Sequence, residues 1–122
     1  MSVEMNVSIE GLPELRAKLE QLDVGMKEQV RYALAFEGEK IKTTAQALCP
    51  VRTGYLRSTI FARIEDWFLK VGALAHYAAY VEFGTRFMEA HRFLSRALEL
   101  RMQALIDTVN RAIDQAIAEA SR

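Results

Sequence analysis

The stretch that decides the fold lies in the middle of the chain and reads LRSTIFARIEDWFLKV, residues 56–71. Its first part, residues 56–65, alternates between two faces, which is the period of a β-strand. One face of that predicted strand carries Leu56, Ser58, Ile60, Ala62 and Ile64. Glu65-Asp66 then forms a polar reversal, and residues 67–71 predict the returning strand. We therefore expect an antiparallel hairpin over residues 56–71.

Two elements are predicted at the start of the chain. Residues 1–10 alternate apolar and polar side chains before Gly11, which predicts a short strand. Pro13 stands where a helix can begin, because the missing N–H of proline costs nothing in a first turn. Leucines follow at helical spacing as far as Leu22, which predicts a short amphipathic helix.

A longer helix is predicted next. Asp23 is a candidate N-cap, and apolar residues follow along one stripe. Pro50 disfavours the helical conformation in the residue before it, so the helix must end near Cys49. The helical region of the N-terminal half therefore covers residues 13–48.

Two further helices are predicted after the hairpin. Residues 77–83 fit a short helix that Gly84 stops. An apolar stripe then predicts a final helix over residues 93–120, which at roughly 28 residues would be about 40 Å long. This length exceeds a small sheet, so we expect its tail to pack elsewhere or to project freely.

The predicted elements indicate an α+β fold in a single domain that covers residues 1–122. The strands would form a small antiparallel sheet, with the helices packed on one of its faces.

The charge of the chain is balanced, with 16 basic and 16 acidic residues. A dedicated nucleic-acid binder carries a basic excess, because phosphate contacts supply most of its affinity. The composition therefore argues against that class. Residues 50–96 hold seven basic and four acidic side chains. The stretch before Pro50 leans acidic, so the chain has a weak charge dipole. Such a dipole would suit head-to-tail contact between identical subunits, and it is equally compatible with no functional role.

The chain contains one cysteine, Cys49. No disulfide can form within it, and the composition fits a reducing compartment. The first residues lack the pattern of a signal peptide, and the longest weakly polar run, residues 71–81, is too short to span a bilayer. We expect a soluble protein made in the cytoplasm.

Few residues could carry metal or nucleophilic chemistry. Cys49, His76 and His91 lack the short paired spacing of a zinc site, and the glycines form no phosphate-binding loop. We expect no metal and no cofactor. Cys49 with His76 could form a nucleophile and its base, but Cys49 is better interpreted as a small apolar residue at a helix end.

Glu82 is the most notable carboxylate, because Val81 and Phe83 place it in an apolar setting. An enzyme would use such a group as a base with a raised pKa. Alternatively the carboxylate pairs with an arginine, Arg52 or Arg57, and holds the short helix against the hairpin. We favour the structural role, since no partner acid accompanies Glu82.

Arginines and aromatic residues are concentrated around these elements. Arg52 and Arg57 flank a Thr53-Gly54 turn and could contact phosphate, a neighbouring subunit or solvent. More aromatic residues follow than the local core needs, namely Tyr77, Tyr80, Phe83, Phe87 and Phe93. Aromatic residues with arginines are typical of the cores of protein–protein contacts.

Three motifs in this region resemble a family of bacteriophage proteins. They are CPVRTGYLRSTI at residues 49–60, YAAYVEFGT at residues 77–85 and RFLSRAL at residues 92–98. In this order they resemble the small tail-component and head–tail joining proteins of long-tailed phages and prophages. The resemblance covers nearly the whole chain. Arg92 departs from it, because the family often has proline there, which leaves the conformation of the preceding loop open.

The resemblance implies a structural, non-enzymatic protein at the neck or the head-proximal end of a phage tail, assembled in the bacterial cytoplasm. Relatives are thought to form rings, commonly hexamers, through which DNA passes without specific binding. The implied partners are copies of the chain and other neck or tail proteins, with no membrane, cofactor or small-molecule substrate.

The resemblance also implies a set of interface or structural residues. They are Arg52, Thr53, Gly54, Leu56, Arg57, Tyr77, Tyr80, Glu82, Gly84, Thr85 and Phe93. Gly54 and Gly84 are expected to set the angle between subunits, because glycine adopts backbone conformations that other residues avoid, and the angle decides whether a ring closes.

Two other classes remain open. A small interaction adaptor outside any virus would also be neutral and could carry a long last helix. A small hydrolytic enzyme would use Glu82 with His76 or Cys49.

Overall fold

A computed structural model of the chain describes residues 1–9, 11–50 and 54–121. Its elements follow the order β1 (Val3–Ser8), α1 (Pro13–Leu19), α2 (Val24–Leu48), α3 (Tyr55–Ser58), β2 (Ile60–Glu65), β3 (Phe68–Ala73), α4 (Ala78–Phe83) and α5 (Phe93–Ala120). The three strands form an antiparallel sheet in the order β1-β3-β2. The α+β class expected from the sequence is confirmed.

The sheet has one apolar and one polar face, and the register explains both. Val3, Ala73 and Ile60 lie side by side across the strands, and every second residue continues the same face. This inner face also contains Met5, Val7, Leu69, Val71, Ala62 and Ile64, and it packs against α2. The sheet therefore buries one side only, as is common for antiparallel sheets.

The outer face carries a charged network. Arg63 donates to Glu4 at 2.9 Å, and Lys70 donates to Glu65 at 2.7 Å. The hydrogen bond and positive charge of Lys70 lower the pKa of Glu65 below its ordinary value. These exposed pairs contribute little to stability, because water screens them.

The strand expected from residue 56 begins later, at Ile60, and residues 55–58 form the helical turn α3. Local hydrogen bonds account for this correction. The Ser58 hydroxyl donates to the Tyr55 carbonyl at 2.6 Å, and the Thr59 hydroxyl donates to the Leu56 carbonyl at 2.8 Å. Hydroxyl groups that bond nearby backbone in this way compete with strand formation. Leu56 and Ser58 therefore do not belong to the inner face of the sheet.

Both ends of α2 lie where the sequence predicts them. The Asp23 side chain accepts the backbone N–H of Met26 at 2.9 Å and caps the first turn. Cys49 adopts an extended conformation, with φ −66° and ψ 134°, as the proline after it requires.

The tail of α5 packs on other helices and does not project freely, which is one of the two outcomes expected from its length. It packs within the chain, because α2 is itself too long for the sheet and offers α5 an antiparallel partner. Ile113 and Ala116 are buried near its end. Lys18 of α1 donates to Asn110 at 3.1 Å and lies 3.6 Å from Asp114. The two long helices therefore form the second layer of the fold, and α1 contacts the end of α5.

Within the described residues, no helix combines the length and apolar character needed to cross a membrane.

Candidate functional site

Glu82 caps the last helix from a different element. Its side chain is fully buried, at 0% exposure. The backbone N–H groups of Leu94 and Ser95 donate to its two carboxylate oxygens at 3.0 and 2.8 Å, and the Ser95 hydroxyl donates as well. Arg92, at the N-cap position of α5, makes no capping bond with its own side chain. A negative charge at this end also complements the helix dipole, so Glu82 fixes α4 to the start of α5.

The partner expected for Glu82 was an arginine of the turn that precedes the hairpin. Among the described residues no ion pair joins Glu82 to Arg57, whose side chain is exposed. Arg52 lies outside the described residues. The structural role proposed for Glu82 therefore acts on α5, through backbone amides.

Gly84 lets the chain turn sharply after α4. Its φ is +77°, a conformation that L side chains rarely adopt. A Cβ atom at this position would lie 2.7 Å from the backbone nitrogen of Ala90 and 2.9 Å from the carbonyl oxygen of Met88. Both atoms belong to the backbone and cannot move aside easily. The turn therefore depends on glycine for its conformation and for its space.

The loop after Gly84 is an ordered turn. Thr85 N–H donates to the Met88 carbonyl at 2.8 Å, and Met88 N–H donates back to Thr85 at 3.2 Å. His91 ties the end of the loop to two helices, because its N–H donates to Val81 at 2.7 Å and its Nε2 lies 2.9 Å from the Leu48 carbonyl oxygen. The loop is therefore held at both ends.

The residue that departs from the family pattern keeps a compatible backbone. Arg92 has φ −71°, a value that proline also adopts. Its guanidinium donates to Glu99 at 2.7 Å on the surface of α5. The conformation of the loop before α5, left open by the sequence, is thus one that proline would also allow.

Four exposed apolar side chains lie along residues 80–88, namely Tyr80, Phe83, Phe87 and Met88, and we term them together the aromatic surface. Phe87 is 89% exposed and Phe83 is 63% exposed. The Arg86 guanidinium lies 5.3 Å from the centre of the Phe87 ring. Large apolar residues grouped on a surface are typical of interaction sites.

The structure distributes the predicted site residues over several different environments. Leu56 and Phe93 are buried in the core, and Glu82, Gly84 and Thr85 hold the α4–α5 connection. Gly54 has φ +81° before α3, and Tyr77 is half-buried beside Tyr55, at 6.4 Å between ring centres. Arg57 and Tyr80 are exposed. Arg52 and Thr53 lie outside the described residues.

Two of the groups considered for catalysis, Cys49 and Glu82, are buried. Cys49 is buried, and burial raises the pKa of its thiol, against the smaller opposing effect of the Arg57 charge. Glu82 is enclosed by the amides that it caps, so a substrate has no access to it. In the part of the chain that the structure describes, no three His, Cys, Asp or Glu side chains come together as a metal site.

A second buried carboxylate was missed in the sequence. Glu37 is 2% exposed on α2, and it accepts hydrogen bonds from Arg101 at 3.2 Å and from Thr108 at 2.8 Å. Lys40 lies 3.9 Å away. The sequence does contain a signal for the burial of Glu37, because this residue falls between Leu34 and Ile41 on the apolar stripe of the helix.

Comparison of the chain with protein-family models, with curated proteins and with solved structures finds no match. The functional interpretation therefore rests on the residues and their geometry.

Proposed function

We propose that this chain is a structural virion protein of a long-tailed bacteriophage or prophage. It acts in head–tail joining or tail completion, as a ring-forming subunit of the neck or tail. The observation that carries the proposal is the aromatic surface, held in place by the buried carboxylate of Glu82.

Spatial contacts link the three motifs that resemble phage proteins. Thr59 of the first motif accepts the backbone N–H of Leu74 at 3.2 Å and, through its hydroxyl, that of Ala75 at 3.2 Å. These bonds position the segment that leads into the second motif. The second motif holds the third through Glu82 and the amides at the start of α5. Motifs that are separate in sequence thus form one structural unit, which supports a shared role.

The composition of the surface supports a protein partner. Aromatic residues accompanied by arginine are enriched in the energetically important centres of protein–protein contacts. The loop that carries Phe87 is already ordered by the Thr85–Met88 hydrogen bonds and by His91. Binding then costs less conformational entropy than it would for a flexible loop. A braced aromatic loop suits a subunit that must dock in one orientation on its neighbour.

The test is genetic complementation in the phage or prophage that encodes the chain. Deleting the gene should remove infectious particles and leave DNA-filled heads and unjoined or abnormal tails, seen by electron microscopy. The wild-type gene should restore infectivity, and the double variant Phe83→Ser/Phe87→Ser should not. Normal infectious particles from the deletion would contradict the proposal.

A matched control separates the surface from general effects of polarity. Tyr32 and Phe36 are exposed aromatic residues on α2, at 76% and 57%. The double variant Tyr32→Ser/Phe36→Ser should complement fully, and both double variants should melt at the wild-type temperature. Equal loss of infectivity in the two variants would mean that the aromatic surface has no special role.

A further inference from the structure

The second strand, β2, has an open edge. In the described part of the chain the sheet ends at β2, which pairs only with β3. The pairing runs without a bulge from Ile60 to Glu65, and the strand contains no proline. Bulges and prolines are two of the usual protections of an edge strand, and charged side chains are a third, which β2 has in Arg63 and Glu65. The opposite edge differs, because Met1, just before β1, accepts the backbone N–H of Ala79 at 2.8 Å.

The hydrogen-bonding alternation shows which backbone groups point outward. Leu74 N–H donates to Thr59 at 3.2 Å, in continuation of the β2–β3 ladder. In an antiparallel ladder every second residue bonds the same neighbour, so Phe61, Arg63 and Glu65 bond to β3. The N–H and C=O groups of Ile60, Ala62 and Ile64 therefore face the open edge.

An apolar hollow lies beside this edge. It has a volume of about 150 Å³, and apolar residues of α2 and the sheet line it together with two charged ones, Glu39 and Arg63. The apolar residues are Ala35, Gly38, Ala62, Ile64 and Leu69. Ala62 and Ile64 are only half-buried although they belong to the inner face. The core is therefore partly open to solvent beside β2, at the same edge where the backbone groups of β2 have no partner strand in the described part of the chain.

We propose that β2 pairs antiparallel with β2 of a second copy of the chain, about a two-fold axis at Ala62. The two sheets then join into one six-stranded sheet. In this register Ile60 lies opposite Ile64 of the partner, and both belong to the inner face. Ala62 lies opposite its own copy, so the half-buried side chains beside the hollow cover one another.

The side chains of the outer face select this register. Phe61 lies opposite Arg63 of the partner in the closely spaced type of antiparallel pair. The two residue types already attract within one chain, where the Arg63 guanidinium lies 5.2 Å from the centre of the Phe61 ring. A shift by two residues in one direction would place Arg63 opposite its own copy, which like charges disfavour, and a shift in the other direction would lose the contact between Phe61 and Arg63.

The pairing is independent of the proposed function. A two-fold contact closes with two copies, so it does not build a ring. It defines the state of the free protein before assembly, and it needs no phage component. The purified chain is therefore sufficient to test it.

The test uses proline to remove one outward donor. Ala62→Pro deletes an N–H that faces the open edge and leaves the β3 ladder intact. Native mass spectrometry and sedimentation across a range of concentrations should show a dimer for the wild type. The dissociation constant of the variant should be at least about tenfold higher, since the substitution is present in both copies and removes both hydrogen bonds of the Ala62 pair.

The matched control is Asn6→Pro on β1. Ile9 N–H donates to Trp67 at 3.0 Å, so odd-numbered residues of β1 bond to β3 and Asn6 faces the opposite edge. This variant should keep the wild-type dimer. A wild type that stays monomeric throughout, or a dimer that Ala62→Pro leaves unchanged, would overturn the proposal. A larger multimer that is insensitive to Ala62→Pro would do so too, while supporting the ring.

Hydrogen–deuterium exchange of the wild type gives a second readout that needs no variant. The amides of Ala62 and Ile64 should gain protection as the concentration rises. The amides of Phe61 and Arg63 should be protected at every concentration. Exchange at Ala62 that does not change with concentration would exclude the contact even if Ala62→Pro fails to fold.

Discussion

One carboxylate oxygen of Glu82 lies 3.0 Å from the backbone nitrogen of Leu94, twelve residues further along the chain. The bond joins the end of one helix to the start of the next, and both groups are buried. The first turn of a helix has N–H groups without intrahelical partners. In α5 a distant side chain supplies the acceptor that a local N-cap normally supplies.

Replacing this acceptor should destabilise the fold. Glu82→Gln keeps the shape but directs an NH₂ group toward a backbone donor and removes the charge. We expect the free energy of unfolding to fall by about 1–3 kcal/mol, measured by chemical denaturation. Glu89→Gln, at an exposed position between α4 and α5, should stay within about 0.5 kcal/mol of wild type. Equal stability of the two variants would contradict the capping role.

The two glycines with positive φ should respond differently to alanine. The Cβ atom of Gly54→Ala meets no atom of the described residues within 4 Å, so the variant should cost only the backbone strain of roughly 1–2 kcal/mol. Gly84→Ala adds a clash with two backbone groups and should cost clearly more, together with a shift in the loop signals in NMR spectra. Similar melting temperatures for the two variants would show that the loop after Gly84 moves to accommodate the added Cβ atom.

Removing Arg101 should lower the free energy of unfolding, because Glu37 is a buried carboxylate that Arg101 pairs with. Arg101→Met leaves the carboxylate with Thr108 and Lys40, and we expect a loss of up to about 3 kcal/mol in the free energy of unfolding. The double variant Glu37→Leu/Arg101→Met should recover most of it, because apolar packing replaces the charged pair. A double variant as unstable as the sum of its single changes would show that the two residues act independently.

Cys49 should make stability depend on alkaline pH. Because burial raises the pKa of its thiol in the folded state, the protonated form favours folding. That contribution is complete below the pKa of the unfolded thiol and is lost as the pH rises through the folded value. Cys49→Ala should therefore lose less stability than wild type over this range in thermal melts. Parallel curves would show that the thiol does not contribute.

Local signals made most elements predictable. Asp23 caps α2 and Pro50 stops it, because each of these two boundaries depends on chemistry within a few residues. The strand predicted from residue 56 was wrong, because the hydroxyls of Ser58 and Thr59 bond nearby carbonyls and favour a helical turn. The alternation of apolar and polar residues does not reveal that these local hydrogen bonds compete with strand formation.

The partners of buried charges were harder to predict. The sequence marks Glu82 as a carboxylate in an apolar setting, and Glu37 as one on an apolar stripe. It does not show which donors approach them, since the amides of α5 and the side chain of Arg101 arrive through tertiary packing. The assembly role and the ring remain proposals.

The antiparallel contact of α2 with α5 bears on how the chain is made. Helix α2 leaves the ribosome well before α5, and all three strands of the sheet are also synthesised before α5 can cover α2. Until then the Glu37 carboxylate stays hydrated on the uncovered side of α2. A charge in the middle of that apolar stripe disfavours association between the uncovered stripes of nascent chains, and the carboxylate gains the Arg101 ion pair and the Thr108 hydrogen bond only when the last helix docks.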